Sequence, residues 1–181
     1  GEEAGVTVEH YVLSSGLKEI IEGTSIAKYF KRIYACEFLY KDGMPIWPKM
    51  AVNYTNKTQF VYRINKGVLD INNDVDLNNS SPDWKKRVFF SNMIYIGDGL
   101  TDVPCMKLVK QSGGHSIALY DAGNAHKAAP LLAHERVDWM FEADYTEGSE
   151  LDRAMKLLLQ NLSYYNELKA INETQKKALK K

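Results

Sequence analysis

Two acidic side chains, Asp98 and Asp102, lie four positions apart in the run Met93 to Asp102, MIYIGDGLTD. Apolar Met93, Ile94, Tyr95 and Ile96 read as a short buried strand, Gly97-Asp98-Gly99 as the turn that ends it, and Asp102 as the opening of a helical pattern. Ligands of open α/β sheets bind at the carboxyl ends of strands. The glycines let the backbone turn sharply and approach a ligand closely. A carboxylate on such a turn suits a hard cation such as Mg²⁺. Asp-Gly is also a common turn dipeptide, and an Asp at position 102 can simply cap the helix that follows.

Two further residue types add to this pattern. Ser14-Ser15-Gly16 follows the β-branched stretch Val6 to Leu13, VTVEHYVL, and precedes Leu17 to Glu22, where Leu17, Ile20 and Ile21 fall at helical spacing. A Ser at such a junction most often caps the helix. It can also offer its hydroxyl, with the next amide, to an anion. Lys57 stands just before the helical stretch Thr58 to Asn65, whose Phe60, Val61 and Ile64 share one face. A cation at a helix start is electrostatically disfavoured, so either Lys57 is an ordinary solvated lysine or it reaches toward an anion.

The elements that position these residues alternate. Ser25 to Lys31 reads as a short helix, Arg32 to Tyr40 as a strand, and Lys41-Asp42-Gly43 as the turn of a hairpin that returns over Met44 to Trp47 and stops at Pro48. Val68 to Phe90 is polar and turn-rich, with room for one helical turn. Its Asp74 and Asp76 lack the glycine and terminal Glu of a calcium loop. Val103 to Gln111 continues the central helix. Ser116 to Tyr120 is a buried strand, Asn124 to His134 a helix, Val137 to Phe141 a last short strand, and Ser149 opens a long terminal helix. The order β-α-β-β-α-β-α-β-α-β-α predicts an α/β domain with a mostly parallel sheet and helices on both faces. Its core runs from about residue 6 to 142, followed by a C-terminal helical segment over residues 149–181.

Bulk properties exclude several classes. With 181 residues, 45% apolar and 25% charged, the chain is long enough for one well-packed domain. Zero formal charge points away from nucleic acid. No apolar run reaches a membrane-spanning length, and the first residues do not resemble a signal peptide, so a reduced, cytoplasmic setting is expected. Cys36 and Cys105 form neither a disulfide framework nor a CxxC site and are expected to be buried thiols. His10, His115, His126 and His134 show no metal-ligand spacing.

Taken in order, Ser15-Gly16 after a strand, Lys57 at a helix start and Gly97-Asp98-Gly99-Leu100-Thr101-Asp102 after another strand resemble the haloacid dehalogenase superfamily of phosphohydrolases, most closely its phosphoserine-phosphatase-like branch. The resemblance covers about Val6 to Phe141 and implies a Rossmann-like core, Mg²⁺ and a small phosphorylated substrate. It implies that Ser15, with the Gly16 amide, binds the transferred phosphoryl group, with Ser14 the lesser candidate. It gives Lys57 the role of neutralising phosphoryl charge, with Lys66 as the fallback. Asp98 would bind Mg²⁺, and Asp102 would support the metal through its waters or through Lys57. Thr101 stands where many relatives carry Asn. Phosphoryl transfer needs charge neutralisation and in-line positioning, which such a set supplies.

The family's nucleophile, an Asp in a DxDx[TV] motif at the end of an early apolar strand, has no counterpart. Asp74-Val75-Asp76 lies in a polar loop after the lysine element, in the wrong order. Only 42 positions separate Ser15 from Lys57, too few for a cap domain beside the elements already there. The chain is therefore expected to be the C-terminal part of a longer phosphatase, without its central N-terminal strand and cap, and inactive alone. The gap left between the strands ending at Leu13 and Ile96 is expected to be filled. It would be filled by the missing N-terminal part, by another copy, or by collapse of the flanking strands. The alternative is a phosphate-binding pseudoenzyme or regulatory module. A receiver domain fits less well, because its acids belong near the start and its lysine near the end. A dinucleotide-binding domain fits worse, because no GxGxxG follows the first strand.

Overall fold

The computed structural model describes residues 5–80 and 85–179. The expected alternation is present. Strand β1 (His10–Leu17) leads to α1 (Lys18–Glu22), β2 (Phe30–Lys41), β3 (Met44–Met50), α2 (Lys57–Lys66) and the short α3 (Asp74–Asn78). Then come β4 (Ile94–Gly97), α4 (Val103–Gln111), β5 (His115–Tyr120), α5 (Ala125–Ala133), β6 (Trp139–Glu142) and α6 (Glu150–Ala178). The chain is thus α/β.

The strands form two sheets instead of one. In the first, β1 pairs parallel with β2, and β2 pairs antiparallel with β3. In the second, β4, β5 and β6 are all parallel, with β5 in the middle. β1 and β4 are therefore edge strands. A cleft of about 720 Å³ lies between them, lined by Tyr11 and Leu13 of β1 and by Ile94, Tyr95 and Ile96 of β4. β1 and β4 do not pair with each other, so the expected collapse of the flanking strands does not occur. Val61 of α2, Val109 of α4, and Leu159 and Leu162 of α6 also line the cleft.

Each sheet has its own core. α2 stacks Phe60 on Tyr34 of β2, ring centroids 4.6 Å apart, and buries Ile64 and Val52 beside them. In the second sheet, β5 turns Ala118 toward Met106 of α4 and toward Ala128 and Leu131 of α5, while Ile117 and Leu119 meet Leu151 and Leu158 of α6. This period-2 alternation with apolar residues on both faces is that of a strand covered by helices on both sides. Val61 of α2 packs with Cys105 and Val109 of α4, which joins the two halves.

Several boundaries differ from the expectation. β1 begins at His10 and continues through Ser14-Ser15-Gly16, with an irregular register between Leu13 and Leu17, so these residues form a bulged strand end and no turn. The segment expected as a helix at Ser25 to Lys31 is a single 3-10 turn, Ala27–Tyr29. β3 runs through Pro48 to Met50. Proline, which cannot donate to a ladder, is tolerated on an edge strand such as this. The helical turn allowed in the polar loop is α3. Cys105 is buried, whereas Cys36 is only half-buried. Among the described residues, no helix is long and apolar enough to cross a membrane.

Candidate functional site

Lys57 and Asp102 meet in the interior. Lys57 Nζ donates to Asp102 Oδ1 at 2.8 Å, and the two side chains are only 4% and 9% exposed. Their placement follows from the helices. Lys57 is the first residue of α2, and Asp102 closes the 3-10 turn Leu100–Asp102 that leads into α4. Val61 and Cys105, one helical turn further along each helix, also pack together, so α2 and α4 run side by side with their amino ends at the same place. Lys57 is therefore not a solvated lysine. Its ammonium, disfavoured at a helix start, is held by a carboxylate.

Asp102 is not a helix cap either. It occupies the N-cap position of α4, but its side chain makes no capping hydrogen bond. The Oδ1 that accepts from Lys57 also accepts from the Tyr95 hydroxyl at 2.8 Å. Burial, followed by the nearby Cys105 and Asp102, pushes the Tyr95 phenol far above its ordinary range, so it stays protonated and a donor. Burial likewise raises the Cys105 thiol to about 11. Gly97 is required beside this group. A Cβ there would come within 2.7 Å of Asp102 Cβ, 2.8 Å of its Cγ and 2.8 Å of Met106 Cε.

The other predicted residues make no hydrogen bond or ion pair with Lys57 or Asp102. Asp98 is exposed in the turn after β4 and makes no hydrogen bond or ion pair among the described residues. Ser15 is exposed at the end of β1, where its carbonyl accepts from Cys36 Sγ at 3.4 Å. The Gly16 amide, expected to help bind an anion, donates instead to Ser14 Oγ at 3.0 Å. The N-cap of α1 is Leu17, so neither serine caps that helix. Thr101 is exposed. Lys66 points elsewhere, donating to the carbonyls of Leu77 and Asn79.

Mg²⁺ is typically held by one or two carboxylates, with substrate oxygens and water completing its shell. Asp98, exposed and unengaged, fits that role as a direct ligand. Asp102 has Oδ2 outside its two hydrogen bonds, which fits a supporting one. Among the described residues, no group of three or more His, Cys, Asp or Glu side chains gathers into a cage.

Tyr95 was not legible as a site residue. It stands in an apolar strand and reads as core, and only its phenol, two residues before Gly97, hinted at a partner. Arg63 was missed too. It is 1% exposed and donates to the carbonyls of Asp70, Ile71 and Asn73 and to the Asp74 carboxylate. It thereby fixes the loop after α2 and gives Asp74 a structural partner.

No protein family and no solved structure matches the chain. The chain is similar to an uncharacterized protein of Borreliella burgdorferi, 31% identical over 162 residues that cover 80% of this chain and 55% of that protein. It spans about half the length of the relative it matches.

Proposed function

We propose that this chain is the phosphate- and metal-binding part of a haloacid-dehalogenase-type phosphomonoesterase, acting on a small phosphorylated substrate with Mg²⁺. The observation that carries this reading is the buried Lys57–Asp102 pair. It joins two helix starts 45 residues apart in sequence, and Asp98, four positions before Asp102, is exposed. In this reading Lys57 neutralises phosphoryl charge, and Asp102 fixes the ammonium so that it cannot swing away. Tyr95 holds the same carboxylate oxygen from the other side. Ser15 donates its hydroxyl to a phosphoryl oxygen. A bound Mg²⁺ supplies charge neutralisation at the phosphoryl oxygens. The attacking aspartate has no counterpart among the 181 residues, so the hydrolytic step belongs to a longer protein that contains it.

A second reading, a phosphate-binding pseudoenzyme or regulatory module, is favoured by one observation: no DxDx[TV] run occurs among the 181 residues. Calorimetric titration of the chain with inorganic phosphate, with and without Mg²⁺, tests the common core of both. The expected result is binding that Mg²⁺ strengthens about tenfold or more and that Asp98→Asn reduces to the metal-free level. Binding indifferent to Mg²⁺ and to Asp98→Asn overturns the site. The same chain is expected to show no turnover of p-nitrophenyl phosphate. A Mg²⁺-dependent rate abolished by Asp98→Asn would refute that expectation.

A further inference from the structure

A second cleft, of about 1040 Å³, lies between the carboxyl end of α2, residues 89–91 and the carboxyl half of α6. An α-helix rises about 1.5 Å per residue, so Asn65 and Lys66, which line this cleft, stand roughly 12–14 Å along α2 from Lys57. None of Lys57, Tyr95, Asp98 and Asp102 lines it. Its size is that of pockets that enclose small ligands.

Its walls are aromatic and its charge is positive. Tyr62 and Phe90 meet edge to face, ring centroids 5.7 Å apart, and Phe89 lines the cleft with them. Rings of this kind stack against other planar rings. Among the described residues, the charged side chains of the cleft are Lys66, Lys86 and Lys169 against one acid, Glu173. Glu173 is itself bonded to Lys176 Nζ at 3.0 Å. Lys66 donates to the carbonyls of Leu77 and Asn79, which hold its ammonium without cancelling the charge. Lys169 Nζ rests 4.2 Å from the centre of the Phe89 ring, and it makes no hydrogen bond or ion pair among the described residues. An aromatic face attracts an ammonium but does not neutralise it. The cleft thus sets an excess of positive charge beside flat apolar walls.

We propose that this cleft binds a small ligand that joins a planar aromatic ring to an anionic group, the chemistry of a nucleoside monophosphate. The ring lies against Tyr62 and Phe90, and the anion accepts from the Lys169 ammonium. Ser91 and Asn166, which also line the cleft, offer a hydroxyl and an amide to the polar atoms between ring and anion. A bare anion would leave the aromatic walls unused, and a neutral ring would leave the lysines without a counter-charge. The inference rests on this cleft alone and stands whether or not the Lys57–Asp102 site handles phosphate.

The test is a calorimetric titration of the chain with AMP, made in EDTA so that no Mg²⁺-dependent site contributes. Saturable binding with a Kd below about 1 mM is expected. Adenosine lacks the anion and inorganic phosphate lacks the ring, and each is expected to bind about tenfold or more weakly than AMP. Lys169 is exposed, so Lys169→Glu is expected to fold as the unaltered chain does and to weaken AMP binding about tenfold or more. In NMR spectra, AMP is expected to shift the signals of Tyr62, Phe90 and Lys169 and to leave those of Lys57 and Tyr95 in place. The proposal is overturned by a Kd above about 1 mM, by adenosine or phosphate binding as tightly as AMP, or by affinity unchanged in Lys169→Glu. Shifts confined to Lys57 and Tyr95 would also overturn it, by placing the nucleotide at the buried pair.

Discussion

The molecule contains two clusters of charge built in opposite ways. Around Asp102, one carboxylate oxygen accepts from one lysine and one phenol, and both ionic side chains are almost wholly buried. Around Glu9, a carboxylate accepts from Arg87, Lys31 and Tyr11, and these charges stay 23% to 41% exposed. The first cluster ties two helix starts together, where every shift is felt by the packed residues Val61 and Cys105. The second ties β1, β2 and the segment before β4 at their amino ends, and water screens it. Buried charges are costly when one partner is lost, whereas surface pairs contribute little.

The largest effect should come from breaking the buried pair from one side. Asp102→Leu leaves the Lys57 ammonium buried with no carboxylate, and is expected to destabilise the chain by about 3–5 kcal/mol in urea denaturation. The double variant Lys57→Met with Asp102→Leu removes both charges and is expected to regain more than half of that loss. Because Asp102 makes no capping bond, loss of a cap cannot account for the difference. A double variant as unstable as the single one would mean that the pair itself, and not the orphaned charge, sets the cost. The comparison between the two clusters would then fail.

Gly97→Ala attacks the same cluster through shape alone. The added methyl would sit 2.7 Å from Asp102 Cβ, and Asp102, fixed at the start of α4, has little freedom to withdraw. A loss of about 2 kcal/mol is expected, with perturbed NMR signals at Lys57 and Tyr95. An unchanged midpoint would show that the Asp102 backbone is more yielding than the packing implies.

The contrast also explains what could be read from the sequence. Element order was legible, because each apolar run keeps one period. Asp102 and Lys57 were legible as residues of interest, because a glycine turn and a helix start are local features. Their contact was expected only through family resemblance, since nothing local ties positions 57 and 102 together. Tyr95 was illegible for the same reason that Ile94 was legible: in an apolar strand a tyrosine reads as volume, and its hydroxyl partner lies beyond a turn. The gap between β1 and β4 was likewise expected only through that resemblance. Strand pairing is set by which edges the helices leave within reach, and Leu13 and Ile96 carry no sign of it. Ser15 was read as a cap or an anion ligand, yet it lies in a bulged strand end, a register feature that spacing does not encode.

Tyr95→Phe refines the account of the buried cluster. It removes one of two donors to Asp102 Oδ1 and leaves Lys57 in place, so a loss of about 1 kcal/mol is expected. A loss as large as that of Asp102→Leu would make the phenol, and not the ammonium, the main support of the carboxylate.

The smallest effect belongs to the exposed cluster, and its signature is pH. The Arg87 guanidinium, bonded to Glu9, lowers the Glu9 carboxyl from its ordinary 4.5 to about 2 against the opposing effect of burial, with Lys31 and Tyr11 assisting. A carboxyl depressed on folding stabilises the fold above its unfolded value and loses that contribution as pH falls toward its folded value. The Glu9 contribution should therefore be complete above about pH 5 and fade between about 4.5 and 2. Because these charges are partly screened, its size should be on the order of 1 kcal/mol. Glu9→Gln is expected to lose that amount at pH 7 and only a minor fraction of it at pH 2.5, measured as the difference in urea midpoint from the unaltered chain. A difference that stays undiminished at pH 2.5 would mean that Glu9 acts through hydrogen bonds that survive protonation. The outer cluster would then resemble the inner one more closely than its exposure implies.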